Sequence, residues 1–205
     1  MQKAALLFVG LSCAALADGP GSPEGLAHQT HRRDGARAFP LDGVRGFQTS
    51  HDVGWPVNGG VDNIRYSPLA QINRDNVSKL SVAWTYDSHD AFKGSEMQSN
   101  PIVVGGVLYV TTPTLKVVAV NAETGKEIWT FDPSGGAPPG ARFRHRGVTV
   151  HKDRVFVSYR SFLYALDRTT GVPIASFGAA GRIDLREGLG VPAEKLSVSA
   201  STPGV

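Results

Sequence analysis

One short run is written twice in this chain, and that repetition limits the folds open to it more than any other feature. AVNAETGKEIW fills positions 119–129, and YALDRTTG fills 164–171. Ala119 and Ala165 stand 46 positions apart, as do Gly125 and Gly171, and Phe131 and Phe177. Trp84 and Trp129 stand 45 apart. Each copy lies in a stretch of short apolar runs separated by turn residues. Residues 102–104 and 107–110 flank Gly105-Gly106, which predicts a tight hairpin. Residues 116–121 and 127–131 flank a four-residue turn and predict a second. The pattern returns over 148–150 and 154–158, then over 162–167 and 173–177. A further strand is expected over 80–86, and one short helical turn within 71–80, where the run Asp75 to Leu80 offers an N-cap.

Four short strands in a unit of this length are the mark of a propeller blade. The turn glycine follows from sterics, because a tight turn needs positive φ and glycine tolerates it best. A tryptophan at a strand end offers a broad flat surface that can seal one blade against the next. The third unit has Ala175 near that place, so its seal must be made differently. Two unrelated hairpins in a β-sandwich would also supply such turns, and that reading stays open on these residues alone.

The 24 glycines and 13 prolines among 205 residues suit a turn-rich fold. The length fits one domain or part of a larger one. A formal charge of +3, from 21 basic and 18 acidic side chains, gives no footprint for nucleic acid. Lys3, the apolar run 4–17 and Ala15-Leu16-Ala17 read as a secretory signal peptide over 1–17, the alternative being a buried or membrane-anchoring helix. Its removal would take away Cys13, the one cysteine, leaving no disulfide. Residues 18–50 read as a flexible leader without periodicity, and 51–205 as the folded part.

The run Trp55-Pro56-Val57-Asn58-Gly59-Gly60, with Asn63 to Leu69 and Gln71-Ile72-Asn73, resembles the opening of the pyrroloquinoline quinone (PQQ) dehydrogenases of the glucose and alcohol type. Asn100 to Val104, the run 119–129, Arg146-Gly147, and Phe177-Gly178 with 181–185 are similar to later parts of the same family. The resemblance covers about 52–205. It implies an all-β, eight-bladed propeller of which this chain supplies about three blades, here the N-terminal portion. It further implies a periplasmic oxidation of a sugar or alcohol with PQQ and usually Ca²⁺, passing electrons to a quinone or cytochrome. Membrane association of the full-length protein is compatible with it.

Arg142 to Gly147 is a dense basic cluster. Its residues alone fit a solvated turn or a carboxylate clamp, since a guanidinium fork matches a carboxylate and PQQ has three. The resemblance assigns Arg146 to the cofactor and leaves Arg144 and His145 as rim residues. It places Gln98 where many members carry a glutamate near the quinone, and a neutral amide can still hydrogen-bond a carboxylate or carbonyl. Ser201 takes the place of a hydroxyl residue that bonds the quinone. The catalytic base and metal ligands are expected beyond Val205, so this stretch alone is expected to be inactive and to associate through open edges. Asp184, in a loop, and Asp167, in a turn, match no catalytic position. Residues 139–142 contain none of the adjacent cysteines of alcohol-oxidising members, which points to a sugar. Two other functions share the blade pattern: a non-catalytic scaffold of the outer-membrane assembly type, and a secreted sugar-binding β-domain.

Overall fold

The computed structural model of the chain describes residues 54–60, 64–67, 69–137 and 144–204. The expected signal peptide over 1–17 and leader over 18–50 lie outside them. Two four-stranded antiparallel sheets carry the fold. The first contains β1 (Ile102–Val104), β2 (Val107–Thr111), β3 (Val117–Asn121) and β4 (Glu127–Phe131), paired in chain order. The second contains β5 (Thr149–His151), β6 (Arg154–Tyr159), β7 (Phe162–Asp167) and β8 (Arg182–Asp184), paired likewise.

The repeated sequence is a repeated set of contacts. Asn121 Oδ1 accepts from the Glu123 and Thr124 amides and the Thr124 hydroxyl. Asp167 Oδ1 accepts from the Thr169 and Thr170 amides and the Thr170 hydroxyl in the same pattern. Gly125 and Gly171 both have φ of 72°. Ala119 stands opposite Tyr109 on one side and Trp129 on the other, and its small side chain lets those rings meet at 5.9 Å. In the second sheet Phe156 stands opposite Ala165 and meets Phe177 at 5.8 Å. The Gly105-Gly106 turn has positive φ at both residues, 57° and 73°, as a two-residue hairpin of matching twist requires.

The sheets stack face to face as consecutive propeller blades. Ile102, Tyr109, Val117, Ala119 and Trp129 of the first pack with Val148, Val155, Val157, Tyr164 and Leu166 of the second. The opposite face of the first sheet, with Leu108, Val110, Val118 and Val120, is covered by Trp84, Tyr86 and Met97. Burial on both faces explains why Val117 to Val120 is an unbroken apolar run rather than an alternating one. Each fully buried valine there contributes about 1.5–3 kcal/mol relative to exposure. Of the three blades expected, two are complete sheets among the described residues; 54–100 and 185–204 flank them without a further sheet.

Two expected elements are corrected. Residues 80–86 form no strand ladder; Trp84 makes an isolated bridge, and the side chains of Trp84 and Tyr86 lie on the first sheet, with the Tyr86 hydroxyl donating to Glu127 at 2.5 Å. The expected fourth strand over 173–177 is β8 instead. Pro173 lacks an N–H and forms only an isolated bridge with Leu166. Ile174 still donates to the Ala165 carbonyl, but the chain then turns, and Arg182–Asp184 pairs with Phe162 to Tyr164. The guanidinium of Arg182 lies 4.4 Å from the centre of the Phe162 ring and holds this late strand down. The helical turn expected within 71–80 is present as a 3₁₀ turn over Val77–Lys79, and Asn76 orders the approach to it by accepting from the Asn73 amide.

Candidate functional site

Main-chain hydrogen bonds draw together two of the three residues expected to face a cofactor, Arg146 and Ser201, and bind them to Asn100, two positions after Gln98. Gln98 lies just before β1, Arg146 just before β5, and Ser201 on the segment after the second sheet. The Asn100 amide donates to the Arg146 carbonyl at 3.0 Å, and the Arg146 amide donates to the Ser201 carbonyl at 2.8 Å. Asn100 and Arg146 are equivalent positions of the 46-residue repeat, so the approach to the first strand of each sheet forms a continuous lip. Gly147 permits this closeness. Its φ is 112°, and a Cβ there would sit 2.8 Å from the Asn100 carbonyl oxygen.

The side chains of the lip differ in freedom. Arg146 is exposed and has no ion-pair partner among the described residues. Ser201 is exposed as well, with no side-chain hydrogen bond among the described residues. Gln98 is half-buried, and its amide donates to Glu96 at 3.1 Å. Glu96 also accepts from Arg144 Nε at 2.6 Å, so Arg144 is engaged across the lip, from the approach to β5 to the approach to β1. That leaves Arg146 as the free cation of the lip among the described residues. Its neighbours Arg142 and Phe143, with 139–141, lie outside the described residues.

His145 is the correction at this site. Expected at the rim, it is 4% exposed and lies against β6. The Gly147 amide donates to His145 Nδ1 at 3.2 Å. Nε2 lies 2.9 Å from Ser158 Oγ, and that hydroxyl donates to the Ala200 carbonyl at 2.7 Å. Burial pushes the imidazole below its ordinary pKa, and the contact with Ser158 opposes this in part. Glu96, Asn100 and His145 were missed in the sequence as members of the site. The 46-residue offset from Arg146 could have found Asn100; nothing local marks the other two.

The acids set aside earlier prove to be structural. Asp184 belongs to β8 rather than a loop. It binds Arg186 through two bonds of 2.9 and 2.7 Å, and that hydrogen bonding holds its carboxyl at about 2. Asp167 is held below its ordinary value by the Thr170 amide and hydroxyl in its turn. Asp90 is buttressed by Ser88, Thr112 and Thr114; burial raises its pKa, and these hydroxyl donors outweigh it. Among the described residues no group of three or more His, Cys, Asp or Glu side chains could hold a metal ion. What the lip offers chemically is one free guanidinium, a partly free amide and a hydroxyl, a donor set that fits a carboxylate-bearing ligand.

The model of the family described as the PQQ glucose/ethanol/alcohol dehydrogenase β-propeller domain matches residues 55–205. A 1-butanol dehydrogenase (cytochrome c) of Thauera butanivorans is 42% identical over 123 residues, which is 57% of this chain and 17% of that protein. The quinohemoprotein alcohol dehydrogenase ADH-IIG of Pseudomonas putida is 35% identical over 174 residues, 82% of this chain and 23% of that one. The crystal structure of the quinohemoprotein alcohol dehydrogenase of Comamonas testosteroni aligns with a TM-score of 0.56 at 33% identity, covering 66% of this chain and 20% of that one. The chain thus spans about a fifth of the length of these proteins.

Proposed function

This chain belongs to the PQQ glucose/ethanol/alcohol dehydrogenase β-propeller family, and on that premise we propose that it forms the N-terminal part of an alcohol dehydrogenase whose cofactor is PQQ. The observation that carries the reading is the exposed guanidinium of Arg146, free of ion pairs among the described residues and clamped by its backbone between Asn100 and Ser201. A cofactor with three carboxylates supplies the anion such a group lacks.

PQQ, when bound, accepts the electrons removed from the substrate carbon. Arg146 binds and orients one of its carboxylates through the two-pronged guanidinium. Ser201 offers a hydroxyl to the same ligand. Gln98 is held by Glu96 so that the rest of its amide remains available as donor and acceptor. Ca²⁺ ligands and the base that takes the substrate proton fall to residues outside those described. The absence of cysteines over 139–142 suggested a sugar, but the relatives named above are alcohol dehydrogenases, and we assign an alcohol as substrate class. The electron acceptor is a cytochrome or a quinone. We place the protein in the periplasm on the strength of residues 1–17. No helix among the described residues is long and apolar enough to cross a membrane.

The test uses the complete polypeptide that carries this segment, purified without cofactor. PQQ and Ca²⁺ are titrated in, and dye reduction is followed with 1-butanol, ethanol and glucose. Saturable PQQ binding with alcohol-dependent reduction is the expected result. Failure to bind PQQ overturns the family chemistry; reduction with glucose alone overturns the alcohol assignment.

A further inference from the structure

His145 sits between two exposed arginines in the sequence, yet its ring is buried and both nitrogens are engaged. The Gly147 N–H points at Nδ1, so Nδ1 is the unprotonated nitrogen and Nε2 carries the hydrogen. Nε2–H therefore donates to Ser158 Oγ, which spends its own hydrogen on the Ala200 carbonyl. The chain of donors is complete and runs one way: Gly147 amide, imidazole, Ser158 hydroxyl, Ala200 carbonyl. Its two ends are the peptide after Arg146 and the peptide before Ser201. The direct bond between the Arg146 amide and the Ser201 carbonyl closes the loop. No buried side-chain nitrogen or oxygen is left without a partner among the described residues.

We propose that His145 is a positioning residue that fixes Arg146 and Ser201 together against the carboxylate-bearing cofactor, through Gly147 on one side and Ser158 and Ala200 on the other. The inference rests on the quinoprotein reading above and adds to it a residue that touches neither cofactor nor substrate. A histidine serving only the core would stabilise the fold without setting affinity for an anion several bonds away. Here the imidazole bonds directly to the Gly147 amide and, through the Ser158 hydroxyl, to the Ala200 carbonyl, the peptides adjoining the two groups meant to hold that anion. Ser158 links the arrangement to β6, whose Val155, Val157 and Tyr159 pack in the core between the sheets, so the lip is tied to a rigid strand.

The experiment measures the PQQ dissociation constant of the complete apoprotein by quenching of its tryptophan fluorescence, beside urea melts of each variant. His145→Leu removes both bonds, His145→Asn keeps an acceptor for the Gly147 amide, and Ser158→Ala cuts the link to Ala200. Affinity is expected to fall about 10–100-fold in His145→Leu, in the range seen when partners of ligating groups are removed. It should be largely restored in His145→Asn. Ser158→Ala should weaken binding in the same direction, and it decides the matter if His145→Leu fails to fold. Wild-type affinity in folded His145→Leu, or in Ser158→Ala where His145→Leu does not fold, overturns the inference while leaving the quinoprotein reading intact. If the wild type itself binds no PQQ, both fall.

Discussion

The indole of Trp129 lies directly over Gly171, so close that a Cβ on that glycine would stand 2.5 Å from the ring. Trp84 lies over Gly125 in the same way, at 2.6 Å. Each indole N–H also reaches the same turn, Trp84 to the Ala122 carbonyl at 3.1 Å and Trp129 to the Arg168 carbonyl at 3.0 Å. The repeated glycine therefore answers two demands, positive φ within its own turn and room for the tryptophan of the preceding unit.

Two glycine substitutions separate those demands. Gly105→Ala meets nothing within 4 Å and must bear only a φ of +57°, so about 1–2 kcal/mol should be lost. Gly171→Ala bears a similar φ and must also displace a buried ring, so the loss should reach about 2–4 kcal/mol. Urea unfolding of both variants checks the order. Equal losses would mean that the ring moves aside freely and that the seal between blades is soft.

Replacing Trp129 by Phe keeps an aromatic surface and removes the donor to Arg168. The expected loss is about 1–2 kcal/mol, from the missing hydrogen bond and the space left by the smaller ring. Trp84→Phe should cost less, because Trp84 is only half-buried. Thermal melts compared with wild type would show the two effects, and a neutral Trp129→Phe would remove the hydrogen bond from the account.

Much of this fold was legible because its signals are local and occur twice. Gly105-Gly106 announces a hairpin, and Asn121 and Asp167 precede matching turns. The fourth strand of the second sheet was misread because Val172 and Pro173 begin to pair as Lys126 and Glu127 do, and the departure depends on Pro173 and on the Arg182 contact with Phe162. The strand expected over 80–86 failed for a different reason. Its β-forming residues are real, but Trp84 makes no more than an isolated bridge, and the run is held to the first sheet chiefly by the Trp84 and Tyr86 side chains. At the candidate site Arg146 was visible through a motif, whereas His145 was not. Flanked by arginines it reads as surface, and only the fold turns it inward. The closeness of Arg146 and Ser201 was hidden as well, because 55 positions separate them, longer than the 46-residue repeat.

Buried and neutral, His145 should make stability depend on pH. Its folded pKa lies below the ordinary value of about 6.5 that it regains on unfolding. Between the two values the unfolded chain binds more protons, so stability rises with pH across that interval. The contribution is complete above about 6.5 and is lost as pH falls toward the folded value. Protonation would also set a hydrogen on Nδ1 against the Gly147 amide. The charged side chains adjoining it along the two segments, Arg144, Arg146 and Arg160, are all exposed. Urea melts between pH 5 and 7.5 should show a steeper acid loss for wild type than for His145→Asn; parallel curves would rule out this histidine as the source.

Arg146 presents the opposite case, a residue whose side chain the fold does not use. Arg146→Ala should change stability by less than about 0.5 kcal/mol, since the guanidinium is exposed and has no ion-pair partner among the described residues. Its expected effect is on the cofactor. A charged hydrogen bond contributes about 1.5–3 kcal/mol, so PQQ affinity should fall by roughly 10–150-fold in Arg146→Ala. Arg146→Lys keeps the charge and loses the planar fork, and it should lie between alanine and wild type. The informative measurement is the pair of numbers for each variant, unfolding free energy and PQQ dissociation constant. Affinity lost at constant stability identifies a ligand contact. A parallel fall in both would make Arg146 a structural residue of the lip, and the case for a carboxylate site at this end of the sheets would lose its main support.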